Sequence, residues 1–364
     1  STHMNQNITL QTQGIKYAGS KLKIIPYIVE MLAELGDVRR VLDGFSGSTR
    51  VAQAFAQMGY CTTANDVSAW SEVFALCYLK SEKPDSFYKE LIDYLNGIEG
   101  YNGWFTEIYG GQNAAAKRPF QAKNTQKLDA IRDEIDKLNL DWVDKCVILS
   151  SLMLALDKVD STLGHYVAYL SEWSPRSFHD LKLELPKRFV HRGNHQVIRA
   201  DVFETIAASE YDFVYFDPPY GSNNDKMPPS RVRYNSYYHI WTTVIQNDKP
   251  DIFGKANRRE DSRDGVQSSV FEEFRKDSDG HFIAMKALDD LIRKTQSRYI
   301  LLSYSSGGKA TKGELNDIIS GSGKLLKAIE IDYKKNVMSQ MRWTNEWINS
   351  DSKYHEYLFL MEKY

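Results

Sequence analysis

Short apolar runs, each closing on an acid or a glycine turn, alternate along this chain with longer stretches whose apolar residues recur at helical spacing. Seven runs read as strands: Val38–Asp43, Cys61–Asp66, Gln196–Asp201, Asp212–Phe216, Tyr299–Tyr304, Ala328–Tyr333 and Tyr357–Glu362. Helical spacing predicts helices over Leu22–Leu35, Arg50–Met58, Ala69–Lys80, Leu128–Leu138, Trp142–Leu156, Phe282–Lys294 and Glu314–Ile319. Pro26 falls in the first turn of the first helix, where proline is tolerated. Strand, glycine turn and helix in succession is the nucleotide-binding arrangement of a doubly wound α/β sheet, so the fold class is Rossmann-like.

The βα rhythm disappears between Lys83 and Arg192, where helices are joined by loops rich in Asn, Gly and Lys. This predicts a main domain over residues 5–82 and 193–364, interrupted by a mainly helical insertion over 83–192. A second long polar stretch, 221–280, holds the aromatic cluster Tyr234-Asn235-Ser236-Tyr237-Tyr238-His239-Ile240-Trp241. Stretches of that length in a compact domain are usually functional or mobile, although a small packed helix explains the cluster equally well.

Bulk composition narrows the class. Hydrophobic residues at 42% and charged residues at 26% are ordinary for a globular protein. No apolar run reaches about 18 residues, which argues against a membrane-spanning helix. The N-terminal stretch lacks an apolar signal core, and Ser1-Thr2-His3-Met4 reads as a cloning remnant before a start at Met4. Cys61, Cys77 and Cys146 show no paired spacing, which suits a reducing cytoplasm and argues against disulfides or a metal site. The net charge of -2 gives no global sign of nucleic-acid binding, but a local basic cleft remains compatible with it.

The most specific chemistry is Val214-Tyr215-Phe216-Asp217-Pro218-Pro219-Tyr220, an apolar strand ending in an acid, two prolines and an aromatic. An exocyclic amino nitrogen on a nucleobase is a poor nucleophile because its lone pair is delocalised into the ring. The Asp217 carboxylate and the Pro218 carbonyl can accept hydrogen bonds from its two N–H groups, which is positional and electrostatic help. Pro218 and Pro219 fix φ and remove backbone donors, and Tyr220 can stack on a base rotated out of a duplex. The pattern points to methylation of an amino group, with a plain strand-end turn as the bland reading. Ring-carbon methylation of cytosine needs a thiolate that usually follows a proline. Tyr60, Leu76 and Lys145 precede the three cysteines instead.

Other strand ends offer a nucleotide site. Asp43-Gly44-Phe45-Ser46-Gly47-Ser48-Thr49 is a glycine turn between strand and helix, where backbone can approach a ligand closely. Asp66 closes the next strand, positioned for ribose hydroxyls or simply for capping the following helix. Ala18-Gly19-Ser20 before a helix can hold an anionic group or merely start the helix. Basic residues beside aromatics at Tyr101–Phe105, Ala116–Phe120, Ser171–His179 and Lys187–Arg192 suit phosphate contact and base stacking, or else form a solvated face over core aromatics.

From Ile15 to Glu362 the chain resembles the D12 class, the alpha group of adenine-N6 DNA methyltransferases that includes the Dam-type enzymes and many type II modification methylases. Tyr17-Ala18-Gly19-Ser20-Lys21 is similar to that group's N-terminal cofactor motif, so the resemblance implies contacts from Tyr17 and Lys21 to S-adenosylmethionine. Asp43 to Thr49 is similar to its Phe-x-Gly-x-Gly loop, which implies cofactor roles for Asp43, Phe45, Ser46 and Gly47, with Thr49 standing where a second glycine is expected. Asp66 matches the ribose-binding acid, Asp201 with Val202 matches the adenine-binding position, and Asp217 to Tyr220 matches the catalytic motif. The insertion falls where the family carries target recognition. There Asp157–Arg176 resembles a stretch that lies near DNA in type II members. The implied DNA contacts are His165, Tyr169, Trp173, Arg176, Lys187, Arg188, Tyr234 and Asn235.

The expected protein is therefore a cytoplasmic, monomeric, site-specific methyltransferase. It uses S-adenosylmethionine on adenine N6 in double-stranded DNA, beside a cognate restriction endonuclease or alone. N4-cytosine in DNA, adenine in RNA, and a non-catalytic DNA-binding protein on the same fold are the alternatives.

Overall fold

The structure is a computed structural model that describes residues 10–16, 22–112, 117–166, 168–189, 193–219, 238–262, 270–272, 276, 278, 283–305, 310–332, 337–340 and 355–364. Its centre is an eight-stranded sheet. The strands in chain order are β1 (Arg40–Asp43), β2 (Cys61–Asp66), β3 (Gln196–Arg199), β4 (Tyr211–Phe216), β5 (Ser297–Ser305), β6 (Gly323–Asp332), β7 (Val337–Gln340) and β8 (His355–Lys363). Across the sheet they run β7-β6-β8-β5-β4-β1-β2-β3. The five strands from β3 to β5 are mutually parallel, with Val41 beside Thr62 on one side and Phe213 on the other. β8, β6 and β7 add antiparallel.

All seven strands read from the apolar runs are present, and β7 is the eighth. Its residues, Val337–Gln340, sit in a polar stretch with no apolar alternation, so nothing local marked them. A pairing partner in β6 makes them a strand.

The central strands are apolar on both faces because both faces are covered. On one face Val41, Phe213, Tyr215, Leu301 and Leu358 pack under α1 (Ile25–Ala33) and α2 (Arg50–Gln57). On the other, Leu42, Val214, Phe216, Ile300, Leu302 and Phe359 pack under α8 (Val202–Ala208), α10 (Ile283–Lys294) and α11 (Lys312–Ser322). Successive residues of β4 thus alternate between two cores, as the strand period of two requires.

The helices α3 (Ala69–Lys80), α4 (Asp85–Asn96), α5 (Trp104–Tyr109), α6 (Ala122–Lys137) and α7 (Trp142–Leu156) share a third core with α9 (His239–Gln246). Residues 83–192 pack on α3 and α9, and α3 in turn lies against β2 and β3. Trp70, Val73, Phe74 and Cys77 from α3 meet Val147, Ile148 and Leu152 from α7 there. Asp129 organises the entry to α5 by accepting from the backbone N–H groups of Gly103, Phe105 and Thr106. The aromatic cluster in 221–280 is partly the start of α9, and its apolar residues Ile240, Trp241, Val244 and Ile245 are buried.

Candidate functional site

β1 and β4 are neighbours, and from them the chain runs outward in opposite directions, through β2 to β3 and through β5 to the antiparallel strands. A crevice opens at such a switch point because the crossovers leave on opposite faces. A cavity of about 420 Å³ occupies it, a size suited to a nucleotide-like ligand. Its floor is the ends of β1, β2, β3 and β4: Gly44 and Phe45, Asn65 to Ser68, Ala200 to Val202, and Asp217 with Pro219. Four of the predicted cofactor residues (Phe45, Asp66, Asp201 and Val202) and two of the predicted catalytic ones (Asp217 and Pro219) therefore come together, although they lie far apart in sequence.

The glycine turn is tightly tied to β2. Gly47 N donates to Asp66 Oδ2 at 2.9 Å and Ser46 N donates to Asn65 O at 2.8 Å. Gly47 has φ 49°, and Thr49, where the family pattern expects glycine, has φ 72°. Threonine is thus held left-handed, where a β-branched side chain is strained. Gln53 Nε2 donates to Thr49 Oγ1 at 3.0 Å and offsets part of that strain.

Asp66 has two structural duties: Oδ2 takes Gly47 N, and Oδ1 accepts from Ser68 N at 2.9 Å. The bond to Ser68 closes a turn before α3, whose N-cap is Ser68 itself, so Asp66 is not the helix cap. Burial raises its carboxyl above the ordinary range, opposed by these hydrogen bonds. Each oxygen keeps acceptor capacity for a ligand. Asp43 is 1% exposed, and its Oδ1 has no hydrogen-bond partner among the described residues. Burial first, then the charge of Asp217, push its carboxyl well above the usual value. Asp201 caps α8, accepting from Phe203 N at 2.8 Å. Val202, Phe45 and Phe271 provide apolar lining, with Phe45 edge-on to Phe216 and to Phe271. Acceptors at two strand ends beside an apolar slot fit a nucleoside.

Sequence reasoning missed two parts of the site. Asn65, near the end of β2, is buried and ties two turns to a helix: its Nδ2 donates to Gly44 O and Ala200 O, and its Oδ1 accepts from Thr205 Oγ1 in α8 at 2.6 Å. In a strand that already carries Thr62 and Thr63, nothing in the local pattern singled it out. The far wall, formed by His239, Thr242, Gln246, Arg259, Asp261 and Ser262, had no local signal. Arg259 pairs with Asp248 and Asp261 and so fixes the segment after α9. That segment is bound to the insertion: Tyr109 and Tyr169 donate their hydroxyls to Asn257 O and Ala256 O, and Arg132 donates to Val244 O and Ile245 O.

The predicted DNA-contacting residues divide. Lys187 is exposed, while His165, Tyr169 and Trp173 are half-buried. Arg176 makes a two-pronged pair with Asp160, which also receives Lys16. Arg188 donates to Ser81 Oγ, Asp85 Oδ1 and Lys83 O and lies over the Tyr88 ring. Both guanidinium groups are thus engaged within the protein, by partners that the local sequence does not reveal. Tyr17, Lys21, Tyr220, Tyr234 and Asn235 lie outside the described residues.

A doubly wound sheet with a glycine turn after its first strand, an acid after its second and Asp-Pro-Pro at the switch point defines a Rossmann-like methyltransferase. The chain belongs to the D12 class N6 adenine-specific DNA methyltransferase family, whose model matches residues 17–305. It is similar to the modification methylase StsI of Streptococcus sanguinis, 26% identical over 369 residues, covering 96% of this chain and 52% of that protein. It is also similar to type II methyltransferase M.NlaIII of Neisseria lactamica, 25% identical over 357 residues, covering 96% of this chain and 99% of that one. Type II methyltransferase M.FokI of Planomicrobium okeanokoites is 25% identical over 369 residues, covering 96% of this chain and 53% of that one. The chain spans about half the length of the StsI and FokI methylases and nearly all of the NlaIII enzyme.

Proposed function

We propose that this protein transfers a methyl group from S-adenosylmethionine to the N6 amino group of an adenine extruded from double-stranded DNA, at a defined sequence. The observation that carries this reading is the convergence of Asp217 and Pro219 with Asp66, Val202 and the Phe45 turn on one cavity, in a chain of this family. Bound S-adenosylmethionine would supply a sulfonium methyl, leaving as S-adenosylhomocysteine with the bonding pair on sulfur, and the amino nitrogen would give up its proton to solvent. Asp66 takes the ribose hydroxyls, Asp201 and Val202 the adenine of the cofactor, and Asp43, Ser46 and Gly47 shape the turn beneath it. Tyr17 and Lys21 complete that set. The Asp217 carboxylate and the Pro218 carbonyl accept from the target amino group, holding its nitrogen toward the methyl donor. Pro219 stiffens the turn and Tyr220 stacks on the base.

Residues 83–192 act as the recognition region, with His165, Tyr169, Trp173 and Lys187 toward DNA and with Tyr234 and Asn235 reaching it from the long stretch after the catalytic motif. Arg176 and Arg188 hold the loops that present them. The names of the relatives support modification of DNA beside a cognate restriction endonuclease. We extend the reading to a monomer acting in the cytoplasm.

The test is to express the protein in a host lacking adenine methylation and map modified bases on its plasmid. N6-methyladenine at one recurring sequence is expected; N4-methylcytosine would select the alternative substrate. Asp217→Ala should abolish modification yet keep the fold and the affinity for S-adenosylhomocysteine, whereas Asp66→Ala should chiefly weaken that affinity. Near-normal turnover in Asp217→Ala would sink the mechanism.

A further inference from the structure

The far wall of the cavity is one face of α9. His239, Thr242 and Gln246 line it from successive turns, while Trp241, Val244 and Ile245 point into the core shared with the insertion. His239 is 1% exposed. Its Nε2 lies 2.6 Å from the carbonyl oxygen of Tyr166, in the insertion. Burial pulls the imidazole down to about 3, so the ring is neutral at neutral pH. A carbonyl can only accept, so in the neutral ring Nε2 must carry the proton, and Nδ1 is left as a bare acceptor. Nδ1 is buried and has no hydrogen-bond partner among the described residues. Buried polar groups are nearly always satisfied, so an orphan on a residue that lines a cavity points to a donor on the ligand.

The end of the cavity that α9 faces follows from its packing. α9 lies against α3, the helix that starts just beyond Asp66, and against α7. Trp70 of α3 also lines the cavity and packs against Tyr238, the residue before His239. His239 therefore belongs to the Asp66 end, where the ribose of the cofactor is read to sit.

We infer that His239 is a cofactor-binding residue, its Nδ1 accepting a hydrogen bond from an O–H or N–H of the nucleoside portion of the methyl donor while Nε2–H holds the ring to Tyr166. The inference rests on the reading of this cavity as the methyl-donor site. One imidazole then joins the cofactor to residue 166, inside the stretch read as the DNA-facing part of the insertion. Asp66 and His239 would together satisfy donors from opposite walls.

Two substitutions separate the ring's two nitrogens. His239→Gln can place an amide N–H where Nε2–H was and keep the bond to Tyr166 O, but it has no acceptor at the Nδ1 position. His239→Asn can place a carbonyl oxygen at the Nδ1 position and loses the bond to Tyr166. Calorimetric titration with S-adenosylhomocysteine is the measurement, with melting temperature as a check on folding and the KM for plasmid DNA as a second arm. We expect His239→Gln to weaken binding by about tenfold, and His239→Asn by less than about threefold, from the cost of an unmet buried hydrogen bond.

A purely structural histidine gives the reverse order, since only the bond to Tyr166 then matters, and that order overturns the inference. If His239→Asn fails to fold, His239→Gln decides alone, and wild-type affinity there overturns it. A loss confined to the DNA KM would assign the bond to the target base and also overturn it. Wild-type protein that takes up no S-adenosylhomocysteine would remove the reading of the cavity itself, an outcome distinct from either variant's behaviour.

Discussion

Gly44 backs onto Phe216, the residue before Asp217: a Cβ at position 44 would lie 2.7 Å from Phe216 Cδ1 and 3.3 Å from Val202 Cγ2. The glycine turn after β1 and the Asp-Pro-Pro turn after β4 are thus seated on each other without a spare methyl group between them. Gly44 N also donates to Tyr215 O at 2.9 Å, which extends the pairing of β1 with β4 to the brink of both turns.

Gly44→Ala should therefore act on both stability and chemistry. Forcing a methyl into this contact costs about 1–3 kcal/mol of folding stability. It should also displace Phe216, and with it Asp217, by tenths of an ångström, lowering kcat by about tenfold. Urea unfolding and single-turnover methylation would measure the two effects. A variant with wild-type kcat would show that Phe216 moves independently of Asp217.

Thr49 occupies a backbone conformation that suits glycine, so the departure from the family pattern puts a β-branched side chain where the turn demands a left-handed residue. Thr49→Gly removes strain of roughly 1–2 kcal/mol and loses the bond from Gln53 while adding backbone freedom, so its stability should stay within about 1 kcal/mol of wild type. Thr49→Val keeps the strain and removes the acceptor, and should be the less stable by about 1 kcal/mol or more. Urea midpoints of the two variants check the order, and a more stable valine variant would remove strain from the account.

The pH dependence of stability should carry a mark of Asp157. Burial raises this carboxyl to about 6, against the opposing charge of Lys16. In the unfolded chain it titrates near the ordinary value of 3.8. Between these values the folded state holds a proton that the unfolded state has released, so this group's contribution falls as pH rises through the window and the loss is complete above it. Asp136, held at about 2, titrates below that window, and Asp160 is shifted downward by Arg176 and Lys16 despite its burial. Asp157→Asn should flatten the decline between about pH 4 and pH 6. Urea midpoints across that range measure it, and an unchanged slope would discount Asp157.

Strand ends, turns and most core helices were legible in the amino-acid order because each depends on neighbours a few residues away. Trp142–Leu156 and Ala69–Lys80 have the bounds their apolar spacing predicts. Asp217-Pro218-Pro219 declares its chemistry locally, since proline restricts the backbone whatever surrounds it. The α4 helix, Asp85–Asn96, was not read, because its buried residues Tyr88, Ile92 and Leu95 are sparse among charged ones.

Tertiary structure decided what depends on burial and on contacts between distant segments. Arg176 and Arg188 look like phosphate ligands in a row of basic and aromatic residues, but their partners Asp160 and Asp85 absorb them. Asn65 and His239 show the converse: neither residue type is unusual, and only a sealed environment turns the one into a staple and leaves an unmet acceptor on the other. A sequence records the order of chemical groups, whereas the cost of an unpaired charge or hydrogen bond depends on how much water and which partners the fold leaves beside it.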